Sequence, residues 1–179
     1  MQTLRLPGLQ LITPRVYEDE RGYFYESYRA LSHAGMPPFV QDNLSFSRQH
    51  TIRGLHFQSA PGQAKLISCL KGEIWDVAVD LRADSPTFMQ WEAVHLNDQT
   101  HQQLYIPVGF AHGFCVLSQE ALVHYKVSSF YHPETEKSIR WNDPDLNVAW
   151  PTKTPILSPR DQISPYWKEM NQDVVDHRM

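Results

Sequence analysis

The chain has 179 residues, with 16 Lys+Arg against 20 Asp+Glu, a formal net charge of −4, 41% hydrophobic residues and 20% charged ones. A chain of this length buries roughly 70% of its unfolded surface, so it needs no metal or disulfide staple, and its composition excludes a disordered polymer. The mild acidity excludes a coat for nucleic acid or for an anionic membrane and leaves small-molecule chemistry open. Arg outnumbers Lys by ten to six; Arg is the better planar fork for carboxylate or phosphate, and surface placement of most of them is the plain alternative.

The start, Met1 to Ile12, has no charged region leading into a long apolar core, so no secretory signal is expected. No stretch approaches the ~20 apolar residues of a membrane span. Cys69 and Cys115 sit in the apolar runs LISCL and GFCVL and are expected as reduced core thiols, which suits a cytoplasmic location. With no repeat, charge block or Gly/Ser linker, residues 1–179 are expected to form one domain.

Short alternating runs between turn signals predict an all-β sandwich or barrel. The expected strands are Leu9–Val16, Phe24–Tyr28, Asp42–Ser47, Ile52–Gln58, Ala64–Lys71, Glu73–Leu81, Phe88–Leu96, Gln103–Ile106, Gly113–Leu117 and Ala121–Tyr131. Short helices are expected over Ser27–Ala34 and Ser164–Met170. In Glu73–Arg82, Trp75, Val77, Val79 and Leu81 form one apolar face. Asp76 and Asp80, on the opposite face, are expected to meet solvent unless basic or His partners converge on them to form a cavity.

Two segments concentrate chemistry. In Arg53-Gly54-Leu55-His56-Phe57-Gln58, alternation sets Arg53, Leu55 and Phe57 opposite Gly54, His56 and Gln58. The strand glycine marks a close approach of backbone or ligand, and His56 is either a general base or a hydrogen-bonded structural side chain. In Pro107 to Phe114, Gly109 and Gly113 bracket His112, a ligand contact or a core imidazole with Asp76 or Asp80 as its partner. Lys65 opens an otherwise apolar run, either facing a pocket or snorkelling to water. Arg21, beside Tyr23, Phe24 and Tyr25, joins charge to aromatic rings that could stack on a base or pack an edge strand. No H-x-H pair occurs anywhere, so no metal site is expected.

Taken in order, Asp19-Glu20-Arg21-Gly22-Tyr23-Phe24-Tyr25-Glu26-Ser27-Tyr28, Val40-Gln41-Asp42-Asn43, Arg53-Gly54-Leu55-His56-Phe57-Gln58, Ala64-Lys65-Leu66, Asp76 to Arg82, Ser85 to Phe88, Ile106-Pro107, Gly109 to Phe114, Tyr125-Lys126, Ile139, Trp141-Asn142-Asp143 and Trp150-Pro151 form one pattern. On these motifs the chain resembles the dTDP-4-dehydrorhamnose 3,5-epimerases nearly end to end. The resemblance implies a cupin jelly roll (a double-stranded β-helix with a few short helices), a homodimer, and neither metal nor cofactor. It implies inversion of C3 and C5 of dTDP-4-dehydro-6-deoxy-D-glucose through an enolate; a single-centre epimerase and a non-catalytic sugar-nucleotide binding cupin are the alternatives.

The same resemblance implies the site residues. The base is His56, paired with Asp161 of Leu157-Ser158-Pro159-Arg160-Asp161; the opposing acid is Tyr125; and Lys65 lies near the keto oxygen. Ligand contacts are implied for Arg21, Glu26, Gln41, Asp42, Asn43, Arg53, Lys65, His112, Glu136 and Arg160. Three positions depart from the family pattern: Arg160 replaces a Lys, and Ala64 and Met89 each replace a Gly.

Overall fold

The computed structural model describes residues 1–30 and 35–170. Its strands are β1 (Gln2–Thr3), β2 (Gln10–Ile12), β3 (Val16–Asp19), β4 (Gly22–Tyr25), β5 (Gln41–Arg48), β6 (Ile52–Gln58), β7 (Lys65–Lys71), β8 (Glu73–Asp80), β9 (Trp91–Asn97), β10 (Gln103–Ile106), β11 (Phe110–Val116), β12 (Glu120–Val127) and β13 (Glu136–Ser138). One α-helix, α1 (Pro159–Ile163), and a 3-10 turn, Trp167–Glu169, follow.

A six-stranded sheet runs β1-β2-β10-β7-β12-β5, and a five-stranded sheet runs β13-β6-β11-β8-β9. From β5 onward the chain changes sheet at every step except β8 to β9, and every sheet pairing is antiparallel. The strands are therefore assembled from partners distant in sequence, as in a jelly roll.

Alternation supplies the packing. Ile67, Cys69, Leu104 and Val123 from one sheet meet Ile74, Ala78, Phe114 and Val116 from the other in the central core. On the far side of the five-stranded sheet, Leu55, Phe57, Val77 and Val79 are covered by Ile139, Leu146 and Val148 of the C-terminal segment. Each Val, Leu, Ile or Phe among them contributes about 1.5–3 kcal/mol by leaving water. Both faces of β8 are therefore buried, and Asp76 and Asp80 are fully buried too. This overturns the solvent-facing expectation: the second sheet covers the face that carries them. Asp80 accepts hydrogen bonds from Arg82, Ser85 and Thr87, which tie down the turn before β9.

Most expected strands are present with shifted ends. β9 begins at Trp91 rather than Phe88, since Ser85 to Met89 turns back upon Asp80. β11 begins earlier, at Phe110, which pairs with Asp80 directly after Gly109. The short edge strands β1 and β13 and the separate strand β3 are too brief for periodicity to reveal. No regular structure covers residues 26–29, and the rest of the expected helix over Ser27–Ala34 lies largely outside the described residues. Helix α1, unforeseen, starts at the N-cap Ser158 with Pro159 next, a start signal in a helix too short to show a period. Only Trp167–Glu169 of the expected C-terminal helix is helical, as the 3-10 turn. Cys69 and Cys115 are free and buried, and burial pushes their thiols up to about 12 and about 11.

Candidate active site

A cleft of about 500 Å³ lies between the sheets. The six-stranded sheet lines it with Gln41 and Asn43 from β5, Lys65 from β7 and Tyr125 from β12. The five-stranded sheet supplies Arg53 and His56 from β6, His112 and Phe114 from β11, and Glu136 from β13. Ser158, Arg160 and Asp161 complete the lining from the start of α1.

Arg53 and His56 share this cleft because β6 carries a bulge. His56 pairs with His112 while Arg53 pairs with Phe114, so three steps along β6 match two along β11. The extra residue reverses the alternation and turns both side chains inward. Regular alternation, which set them on opposite faces, is corrected by this register shift. Gly54 makes it possible: its φ is +122°, and a Cβ there would lie 2.6 Å from the Gly113 Cα. The close backbone approach expected of this glycine is therefore made to Gly113.

His56 and Asp161, 105 positions apart, meet with Nε2 2.6 Å from Oδ1. Asp161 is buried, with its side chain 4% exposed against 26% for His56. Burial alone pushes the Asp161 carboxyl up, but hydrogen bonds from His56 and Ser158 and the charges of His56 and Arg160 outweigh it and hold the group below its ordinary value. An ionised carboxylate only accepts, so Nε2 carries a proton and Nδ1 is the ring nitrogen left to face the cleft.

Lys65 donates to the His56 carbonyl at 3.3 Å. Burial lowers its ammonium to about 8, against the opposing pull of the Glu136 and Asp76 charges. A half-buried cation lining a cleft is the pocket-facing alternative of the two raised by the sequence. His112 is buried, with Nε2 at 3.0 and 2.9 Å from the two oxygens of Asp76; of the two candidate carboxylates, Asp76 is the partner. Glu136 and Arg160 form an ion pair within the lining.

Three expected contacts are not brought into the cleft. Asp42 lies between Gln41 and Asn43, so β-alternation turns it outward, where Lys126 Nζ donates to its oxygens at 2.7 and 2.9 Å. Arg21 is at the β3–β4 turn, 85% exposed and paired with Asp19 at 2.6 Å. Glu26 follows β4 and pairs with Arg29. Conversely, Gln63, Phe114, Val127, Tyr131 and Ser158 line the cleft without having been singled out. Ser158 was legible only as a letter in the Leu157–Asp161 motif, and Gln63 carried no signal. Among the described residues, no group of three or more His, Cys, Asp and Glu is arranged to hold a metal ion, and no helix is long and apolar enough to cross a membrane.

A jelly roll with an imidazole–carboxylate pair on one wall of its cleft and a tyrosine and a lysine on the other has the architecture of a cupin-type sugar-nucleotide epimerase. The family model for dTDP-4-dehydrorhamnose 3,5-epimerase matches residues 3–169. The chain is 48% identical over 164 residues to the dTDP-4-dehydrorhamnose 3,5-epimerase of Pseudomonas aeruginosa, covering 89% of this chain and 91% of that one. The Neisseria gonorrhoeae enzyme of the same name is 43% identical over 174 residues; the match covers 95% of this chain and only 53% of that longer protein. A solved structure of the dTDP-6-deoxy-D-glucose-3,5-epimerase of Legionella pneumophila, in complex with dTDP-4-keto-L-rhamnose, superimposes with a TM-score of 0.92 at 45% identity, covering 96% of this chain and 94% of that one. The chain belongs to the dTDP-4-dehydrorhamnose 3,5-epimerase family.

Proposed function

We propose that this isomerase inverts C3 and C5 of dTDP-4-dehydro-6-deoxy-D-glucose, giving dTDP-4-dehydro-L-rhamnose, with His56 as base and Tyr125 as acid. The C4 ketone acidifies the protons on C3 and C5, because the carbanion left behind delocalises to an enolate. His56 Nδ1 takes the proton on one face of the sugar, and Asp161 stabilises the imidazolium that forms. Tyr125 returns a proton from the opposite wall, so the centre inverts. The Lys65 ammonium faces the growing negative charge on O4, an effect worth about 3–4 kcal/mol for a single well-placed donor. Arg53 and Arg160 suit the diphosphate, and Gln41 and Asn43 the polar edges of the nucleotide. Protons move and no net electrons do, so the reaction calls for no redox cofactor.

The observation that carries this reading is the 2.6 Å contact between His56 and Asp161, facing a tyrosine borne by the other sheet. The test is conversion of dTDP-4-dehydro-6-deoxy-D-glucose in deuterated water, read by NMR. Deuterium at both C3 and C5 is expected, with exchange lost in His56→Asn. One labelled position at full conversion, or normal turnover by the variant, overturns it.

The proposal extends to the assembly. Arg21 and Glu26 are contacts implied by the family, yet within one chain they are not part of the cleft lining. A homodimer in which the β3–β4 hairpin reaches the cleft of a second copy reconciles the two. The exposed aromatic rings of Tyr17, Tyr23 and Phe24 on that hairpin support such a partner. One catalytic domain over 1–179, working in the cytoplasm, completes the reading.

A further inference from the structure

The Asp161 carboxylate is engaged at both oxygens. Oδ1 faces His56 Nε2 at 2.6 Å, and Oδ2 accepts from the Ser158 hydroxyl at 2.8 Å. Ser158 Oγ in turn accepts from the Asp161 backbone N–H at 3.1 Å, as the N-cap of α1. The hydroxyl is thus held by the backbone of the residue whose side chain it holds. A carboxylate turns about a soft, roughly two-fold torsion, so its rotamer alone does not fix where Oδ1 points. Its neighbours must fix it.

Building on the role proposed for His56 and Asp161, we infer that Ser158 is a positioning residue: its hydroxyl sets the plane of the Asp161 carboxylate so that Oδ1 holds His56 with Nδ1 aimed at the substrate. Ser158 has two separable duties, donating to Oδ2 and capping the helix. Glycine keeps most of an N-cap's stability, whereas alanine does not. Neither can donate to the carboxylate, and threonine can.

The experiment measures kcat and KM for dTDP-4-dehydro-6-deoxy-D-glucose in Ser158→Ala, Ser158→Gly and Ser158→Thr, with His56→Asn alongside. The loss of one positioning hydrogen bond predicts kcat lowered about tenfold in both the Ala and Gly variants, KM within about twofold of wild type, and recovery in the Thr variant. Wild-type kcat in Ser158→Gly, with loss confined to Ser158→Ala, would reduce the residue to a helix cap and overturn the inference. A rise in KM at constant kcat would make it a substrate contact and overturn it as well. If His56→Asn loses isotope exchange while the Ala and Gly variants keep full kcat, the role of Ser158 alone fails. If His56→Asn keeps exchange, the base assignment itself fails.

Discussion

Asp76 holds His112 through both carboxylate oxygens, at 3.0 and 2.9 Å from Nε2, with both side chains buried. Burial lowers the His112 pKa, and the neighbouring Lys65 and His56 charges add to this, while the Asp76 carboxylate opposes it. The ring is therefore neutral at neutral pH, with its proton on Nε2 and a lone pair on Nδ1. Under the proposed mechanism that lone pair suits a hydroxyl or ammonium donor, which leaves the oxyanion to Lys65. Nitrogen-15 NMR is expected to show the neutral Nε2–H tautomer persisting below pH 6.5, the ordinary histidine value. Asp76→Asn removes the opposing charge and should lower the His112 pKa further.

Lys65 limits activity at alkaline pH. Its ammonium, lowered to about 8 by burial, loses its charge as pH rises through that value, so turnover should fall on the alkaline side with a midpoint near pH 8. Between about 8 and the ordinary value of 10.5, the folded state binds fewer protons than the unfolded one. The charge on Lys65 thus costs stability below that window, and the cost fades as pH rises through it. Lys65→Met should lower kcat by about 10²–10³ while raising the melting temperature at pH 7, as calorimetry would measure.

Asp161 has the opposite sign. Its carboxyl is lowered in the folded state, so its contribution is complete above the ordinary value of 3.8 and is lost as pH falls through the lowered one. Asp161→Asn should cost about 1–2 kcal/mol at pH 7. Denaturant titrations below pH 3.8 should show that difference shrinking.

The contact of Gly54 with Gly113 leaves no room for a side chain. Gly54→Ala meets both a positive φ and a backbone atom at 2.6 Å. A loss of about 3 kcal/mol is expected, lowering the melting temperature by roughly 6–12 °C. Because the same bulge turns Arg53 and His56 inward, residual folded protein should also turn over more slowly.

Sedimentation should give twice the mass of one chain. Arg21→Ala and His56→Asn, each impaired alone, should complement when subunits are exchanged. A mixed dimer has one site with both residues intact, so an equal mixture should recover about a quarter of wild-type activity. Recovery no greater than the sum of the separate activities would place Arg21 outside the partner's cleft.

By itself the sequence determined the all-β class and most strand positions, since burial of alternate residues leaves a period of two in the chain. The family motifs brought it to His56, Lys65, Tyr125 and Asp161 as a set. Only the tertiary structure decided which groups touch. Asp76 rather than Asp80 faces His112, because the partner strand and not the periodicity selects between two carboxylates on one face. Arg53 joins His56 through a bulge, which breaks the alternation that sequence reasoning relies on. Asp42 turns outward between two cleft residues for the opposite reason: there the alternation is unbroken. Ser158 gains its role only because α1 lies against β6, which brings the Asp161 carboxylate that it holds to His56. A net charge of −4 describes the surface. The cleft gathers Arg53, Lys65 and Arg160 from three elements against Glu136 and Asp161, a local excess of positive charge from groups that the linear chain keeps apart.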